Sequence, residues 1–172
     1  SRSKSGRTTS ISAIVNSRYL RLTSAYAHSD LHADQRPAYF TKELGPRLTR
    51  NTILGIDANC VPNESLDLQR ASNSPYNNVG ANELADEISK HNLIDVAREH
   101  MGRDPFFTSH HTVGGGGTTH TRIDQVYAPD LNGFIWSLDN YTHDPFLKRN
   151  AKEIDHSAVT IRLAGTMGER GC

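Results

Sequence analysis

Cysteine is scarce, with Cys60 and Cys172 the only two in 172 residues. Two thiols make no disulfide framework, and nothing calls for an oxidising compartment. An excess of either charge is absent too. Nineteen Lys and Arg balance nineteen Asp and Glu, which excludes a broad polycationic nucleic-acid binder but leaves room for a local basic surface. No apolar run approaches the ~18 residues of a membrane span, and no apolar core follows the basic head as a signal peptide requires. What remains is a chain with 35% apolar and 22% charged residues, enough for one soluble domain with a real core and much loop. It starts with Ser rather than Met, which points to a fragment or a processed product.

Charge is uneven along the chain. Arg2, Lys4, Arg7, Arg18 and Arg21 precede the first acid, Asp30. They read as a solvated Ser-rich tail over 1–10 leading into a basic strand edge, or as a phosphate-facing strip. Residues 11–16 and 19–26 alternate as two strands about a tight turn at Ser17 and Arg18, with Leu20, Leu22, Ser24 and Tyr26 on one face. From Asp34, a candidate N-cap, the spacing of Phe40, Leu44 and Leu48 predicts a helix with Pro37 early, broken at Gly45-Pro46. Residues 51–57 are apolar on both faces, as a central strand is. Ala81, Leu84, Ala85 and Ile88 form one helical stripe ending at Asn92, with "LIDVAREHM" as a short extension. "PFFTS", 121–128, "FIWSLDNYTH" and 157–163 read as further strands, and "TVGGGGTT" as a flexible loop. There is no internal repeat and no regular βαβ spacing, so the expected class is a mixed, layered α/β domain.

Three of these strand ends carry acids or amides. Asp57 and Asn59 share a face because i and i+2 do. Asp124 follows Arg122 at the same interval, and Asp155 and His156 precede the last strand. A strand-end Asp alone is most often a turn cap, but three together can converge. Clustered carboxylates repel and call for a cation, and oxygen ligands favour Mg²⁺ or Mn²⁺. A phosphodiester offers anionic oxygens to that cation. A carboxylate can orient the attacking water, an amide can donate to phosphate, and an acid-held imidazole can donate to developing charge.

"GIDANC", then "TRID", then "DHSAV" resembles the endonuclease/exonuclease/phosphatase superfamily, whose late motifs run D-x-N, S/T-x-I-D and S-D-H. "AYAHSD" is similar to its tyrosine turn and "FFTSHH" to the segment before the third motif. The resemblance covers roughly 11–163, leaving 164–172 as a tail, and is greatest to the endonuclease domain of LINE-type retrotransposons, then to exonuclease III-type repair nucleases. It implies a DNase I-like two-sheet sandwich flanked by helices. It also implies that Tyr26 contacts the scissile phosphate, Asp57 orients or deprotonates water, and Asn59 holds the phosphate. Asp124 would pin His156, which would stabilise transition-state charge; Asp155 would sit at the metal. Thr108 would shape the DNA-binding face, and Arg122 would support the cluster or touch the DNA backbone.

The departures are instructive. His28 and Ser29 replace the usual Pro and Asn, and Ile154 replaces the usual Ser or Asn. The family's upstream Asn strand and metal-binding Glu strand have no counterpart, so the resemblance implies a domain truncated at its N-terminus and feeble alone. The expected function is Mg²⁺-dependent (or Mn²⁺-dependent) cleavage of DNA, as the endonuclease portion of a retroelement polypeptide carrying a reverse transcriptase. It would be intracellular, nuclear if a retroelement protein, with no membrane partner. The alternatives are a repair nuclease or other phosphoesterase of the superfamily, including those acting on phosphoinositides or sphingomyelin, and a non-catalytic remnant that binds nucleic acid. Rival signals read more blandly. His110, His111 and His120 form a poor zinc set, because zinc wants a fixed cage and a four-glycine loop frames them badly, and they read as loop histidines near a DNA or solvent face. "GGGG" lacks the Lys-Ser/Thr of a phosphate loop. Cys60 reads as a buried thiol, and Trp136 and Tyr141 as strand packing.

Overall fold

The computed structural model of the chain describes residues 1–15, 17–71, 75–112, 117–130, 156 and 159, and the backbone of 134–137 and 162–165. Asp155, Tyr141, Cys172, Gly114–Gly116, the Trp136 side chain and most of the expected strand and tail segments after 137 lie outside the described residues.

A five-stranded sheet carries the domain. Strands β1 (Thr8–Val15) and β2 (Arg18–Tyr26) form a hairpin in which Val15 faces Arg18. Ser17 turns the corner at φ 63°. The strand starts at Thr8, so part of the expected tail is sheet: Thr8 shares a hydrogen bond with the Tyr39 hydroxyl at 2.8 Å, and Ser10 with Thr23 at 3.0 Å. Small hydroxyl residues can be buried here because each finds a partner. The face expected to unite Leu20 through Tyr26 is divided. Leu20 is buried, but Thr23 and Ala25 then take the inward positions, and Leu22 and Tyr26 are exposed. Strand β3 (Thr52–Asp57) runs parallel to β2, with Tyr26 beside Asp57. It buries Thr52, Leu54 and Ile56 on one face and turns Ile53, Gly55 and Asp57 to the other, as period two requires. The central position read from its two apolar faces is the observed one.

The next segment is helical but irregular. A 3₁₀ stretch (Asp30–Gln35) leads into α1 (Arg36–Tyr39), a π turn (Phe40–Leu44) and a last 3₁₀ turn (Gly45–Arg47). Asp34 lies inside the first stretch and is not the N-cap; Ser29 occupies that position. The reason is Arg36. Its buried guanidinium donates to the carbonyls of His28, Asn77 and Val79 and to Asp30, which sets the entry to the helix from neighbouring loops. Phe40, Leu44 and Leu48 are buried as their spacing predicts, each worth roughly 1.5–3 kcal/mol of apolar transfer. Gly80 backs onto this segment at φ 95°, where a Cβ would stand 2.7 Å from Arg36 Cβ and 2.9 Å from the Phe40 ring. Only glycine fits.

Strand β4 (Leu68–Gln69) follows the short α2 (Glu64–Asp67). Helix α3 (Ala81–Lys90) buries Leu84 and Ile88, but Glu87 is buried and Ala85 exposed, a correction to the expected stripe. Glu87 lies against Gly45, where a Cβ would meet its carboxylate, and pairs with Lys90 at 3.5 Å. The expected helical extension is strand β5 (Leu93–Asp95) followed by α4 (Val96–Met101), capped by the Asp95 side chain. Strands β6 (Ser109–Thr112) and β4 both pair with β7 (Thr118–Thr121), the middle strand of a three-stranded sheet. Strand β8 (Asp124–Pro129) returns to the main sheet, whose order is β1-β2-β3-β8-β5. A two-stranded ladder joins β9 (Phe134–Ser137) to β10 (Arg162–Gly165). β10 thus runs into the expected C-terminal tail.

The core lies between the main sheet and the helices, built from Tyr39, Phe40, Leu44, Leu54, Ile56, Leu84, Ile88 and Tyr127 among others. On the sheet's other face Ile53, Ile94 and Val126 pack with Val96 and Ala128. Among the described residues no helix is long and apolar enough to cross a membrane.

Candidate active site

Strand register assembles the site. β3 and β8 are antiparallel with Asp57 directly opposite Asp124, and parallel β2 sets Tyr26 beside Asp57. Directly paired residues share a face, so Tyr26, Asp57 and Asp124 form a row across three strands. The end of β3 is fastened on both sides. Ala27 N–H donates to the Asp57 carbonyl, and Ala58 N–H to the Ile123 carbonyl, each at 2.8 Å. Beyond the strand Asn59 takes φ 50°, a left-handed conformation that Asn tolerates better than most residues. Its backbone N–H therefore turns back to donate to Asp57 Oδ1 at 3.1 Å. Its side-chain Nδ2 lies 3.4 Å from the Ala27 carbonyl.

Asp124 is held from behind. Its N–H donates to Thr108 Oγ1 at 3.0 Å, and its Oδ2 lies 2.8 Å from His156 Nδ1. His156 reaches this position through a bridge to Ser109 on β6. One ligand atom each from Asp57, Asp124 and His156 lie within 4.8 Å of one another. Asp57 and Asp124 border an open pocket of about 310 Å³ that Gly55 and Val159 also line. Burial, and then the charge of Asp124, raise the Asp57 carboxyl from 3.8 to about 6. The Asn59 N–H and His156 act in the opposite direction. Two crowded carboxylates with an imidazole are a donor set that a divalent cation fits, because it relieves the repulsion.

Tyr26 is 48% exposed at the edge of the row, with the Arg7 guanidinium 5.5 Å from its ring centroid. Thr108 is fully buried, so it acts on the face only through Asp124 and does not touch a substrate. Arg122 needs a clear correction. Its side chain is 0% exposed, and its guanidinium is committed to Asp67 (2.7 and 3.1 Å) and Asp95 (3.0 and 2.6 Å). Such a group cannot reach a DNA backbone; of the two roles the resemblance implies, support of the cluster is the one open to it. Asp155 lies outside the described residues.

Sequence reasoning passed over Asp67 and Asp95. They neutralise Arg122, with Arg98 bonding Asp67 at 2.7 Å. A buried cation must be paired: burial works against the Arg122 charge, and Asp67 and Asp95 more than offset it, leaving the guanidinium's proton affinity raised. Arg122 lies where the chain passes from β7 to β8, and its N–H also donates to the Asp67 carbonyl at 2.9 Å. Cys60 is buried, which pushes its thiol up to about 12, so it is a packing residue.

The mixed α/β fold of packed sheets with flanking helices is that of a DNase I-like sandwich. The chain is similar in structure to the endonuclease domain of TRAS1, a telomere-specific non-LTR retrotransposon (TM-score 0.58, 14% identity, covering 92% of this chain and 64% of that one). It is similar to a 3'-5' exonuclease, NExo, from Neisseria meningitidis (TM-score 0.56, 18% identity, 90% and 64%). It is also similar to a variant of the 3' phosphatase NExo from Neisseria bound to a product DNA hairpin (TM-score 0.57, 17% identity, 90% and 64%). These likenesses establish the endonuclease/exonuclease/phosphatase fold, and the chain spans 64% of the length of each neighbour. No protein-family model matches the sequence, and no curated protein matches it by sequence.

Proposed function

We propose that the protein is a divalent-metal-dependent phosphodiester hydrolase acting on DNA, and specifically the endonuclease portion of a retroelement. The observation that carries this reading is the direct register of Asp57 with Asp124, with His156 bonded to the second acid. A metal-free carboxylate pair would repel a phosphodiester. With Mg²⁺ or Mn²⁺ held by Asp57 and Asp124, the ion would supply charge neutralisation for the phosphate oxygens and the leaving oxygen.

The residues divide the remaining work. Asp57, ionised above about pH 6, orients the attacking water and accepts its proton. Asn59 donates its amide to a phosphate oxygen, exchanging its long contact to Ala27. Asp124 fixes the ring of His156, which donates to a non-bridging oxygen as charge builds. Tyr26, exposed beside Asp57, contacts the phosphate from the β2 side. Asp155, adjacent in sequence to His156, remains part of the proposed metal environment. Among the described residues only two carboxylates serve the cation, so a low intrinsic rate belongs to this reading. The TRAS1 likeness supports the retroelement assignment. The likeness to NExo, at nearly the same TM-score, favours a second reading as an exonuclease or 3' phosphatase.

Nicking of supercoiled plasmid in Mg²⁺ tests the proposal. Nicking is expected to vanish in EDTA and to fall by at least ~100-fold in Asp57→Ala and His156→Ala. Variants that nick as fast as the native chain would overturn the residue roles. DNA binding without nicking in any divalent ion would mark the chain as a non-catalytic remnant. Release of nucleotides or phosphate from 3' ends, with intact plasmid, would favour the second reading.

A further inference from the structure

The three-stranded sheet carries an arrangement that phosphodiester chemistry does not use. β6 and β7 pair so that His110 stands directly opposite His120. Their Nδ1 atoms are 2.6 Å apart. The rings meet edge to face with centroids 4.8 Å apart, and the Phe107 ring lies against His120 at 5.7 Å. Both histidines are half-buried, whereas His111, next along β6, is exposed and faces the other side of the sheet. The two histidines are therefore strand residues fixed by a ladder, not the loop residues the glycine run suggested.

Two ring nitrogens this close share one proton. Two N–H groups would collide and two lone pairs would repel, so one ring donates while the other accepts. The same convergence suits a cation that prefers imidazole. Zn²⁺, Ni²⁺ and Cu²⁺ take imidazole nitrogen readily, whereas Mg²⁺ takes oxygen. Two Zn–N bonds of ~2.0–2.1 Å at a tetrahedral angle span roughly 3.3 Å, a widening of roughly 0.7 Å that small ring rotations supply. The bridging proton would move to the outer nitrogen of its own ring or to water.

We infer that His110 and His120 form a binding site for one imidazole-preferring divalent cation of the Zn²⁺ type, with water completing its shell. The site is distinct from the Asp57–Asp124–His156 cluster, because cross-strand partners on β6 place Ser109, the neighbour of His156, and His110 on opposite faces. Its occupancy clasps the β6–β7 hairpin. Since Ser109 of that hairpin bridges His156, the clasp also steadies the strand on which the histidine of the candidate active site rests. The two histidines would hold the cation whether or not the chain cleaves DNA.

Competition for Zn²⁺ against a chromophoric chelator, in excess Mg²⁺ to occupy the oxygen-rich cluster, tests it. Zn²⁺ affinity is expected to drop at least ~10-fold in both His110→Gln and His120→Gln and to stay within about twofold in His111→Gln. Equal affinity in all four proteins would overturn the site. A measurement without substitutions guards against misfolded variants. Trace Cu²⁺ should broaden the ring proton resonances of His110 and His120 first; broadening that begins at His156, or spreads evenly over the nine histidines, would overturn it equally.

Discussion

The Asp124 carboxylate lies 2.8 Å from His156 Nδ1 while its own backbone N–H is anchored on the buried Thr108 hydroxyl. The acid is thus held from one side and holds the imidazole on the other. Groups coupled in this way act as a unit, and their deletions do not add. Asp124→Asn and His156→Ala are each expected to slow plasmid nicking by about 100-fold or more, and the double variant to be little slower than the worse single one. Additive losses in that cycle would show that the two residues act independently.

Asp57 makes a distinctive prediction about pH. Its carboxyl is raised from 3.8 to about 6, chiefly by burial and then by Asp124. Below about pH 4 the folded and unfolded chains both carry the proton, and the group contributes nothing. As pH rises to about 6 the unfolded chain ionises first, so the folded state loses stability over that window and does not regain it above. After discounting for partial exposure the loss is about 1–2 kcal/mol. Asp57→Asn in EDTA should therefore be more stable than the native chain near about pH 8 and equal to it near about pH 3.5. Urea denaturation at both values checks this, and a less stable variant at the higher pH would contradict it. Nicking, which needs the ion, should rise with pH at values below about 6, because the bound cation favours the Asp57 carboxylate, and a higher Mg²⁺ concentration should move the rise lower still.

Arg122 links α2, α4 and the start of β8 through Asp67 and Asp95. Removing the guanidinium strands two acids in a largely buried network, so Arg122→Met is expected to cost about 3–5 kcal/mol. Lysine cannot reproduce the fork that engages both carboxylates, so Arg122→Lys should recover only part of the loss. Chemical denaturation reads the effect. DNA affinity of the protein that remains folded should be unchanged, and a selective loss of affinity at native stability would return Arg122 to the substrate.

The central strand and the placement of Asp57 and Asp124 at strand ends were legible because they rest on local pattern, whereas the register that opposes the two acids and the contact of His156 with Asp124 join distant segments. Apolar residues on both faces of 51–57 mark a middle strand, but Asn59 lies beyond that strand, and the left-handed turn at φ 50°, not a period of two, brings its N–H to Asp57. The Arg122 network was hidden because its partners are 55 and 27 positions away, and sequence does not say which acid meets which base. Irregularity after Asp30 was hidden for a similar reason, since Arg36 is fixed by carbonyls as distant as Asn77 and Val79. The His110–His120 pair was obscured by the glycines between them. The β-branched threonines on either side, Thr108 and Thr112 before the glycines and Thr118, Thr119 and Thr121 after them, are the strand signal that could have found it.

Crystals grown with Mn²⁺ and measured at its anomalous edge test the central claim most directly. The account predicts an anomalous peak bonded to carboxylate oxygens of both Asp57 and Asp124, with His156 still on Asp124. A peak elsewhere, or the two acids turned away from each other with no ion between them, would contradict it.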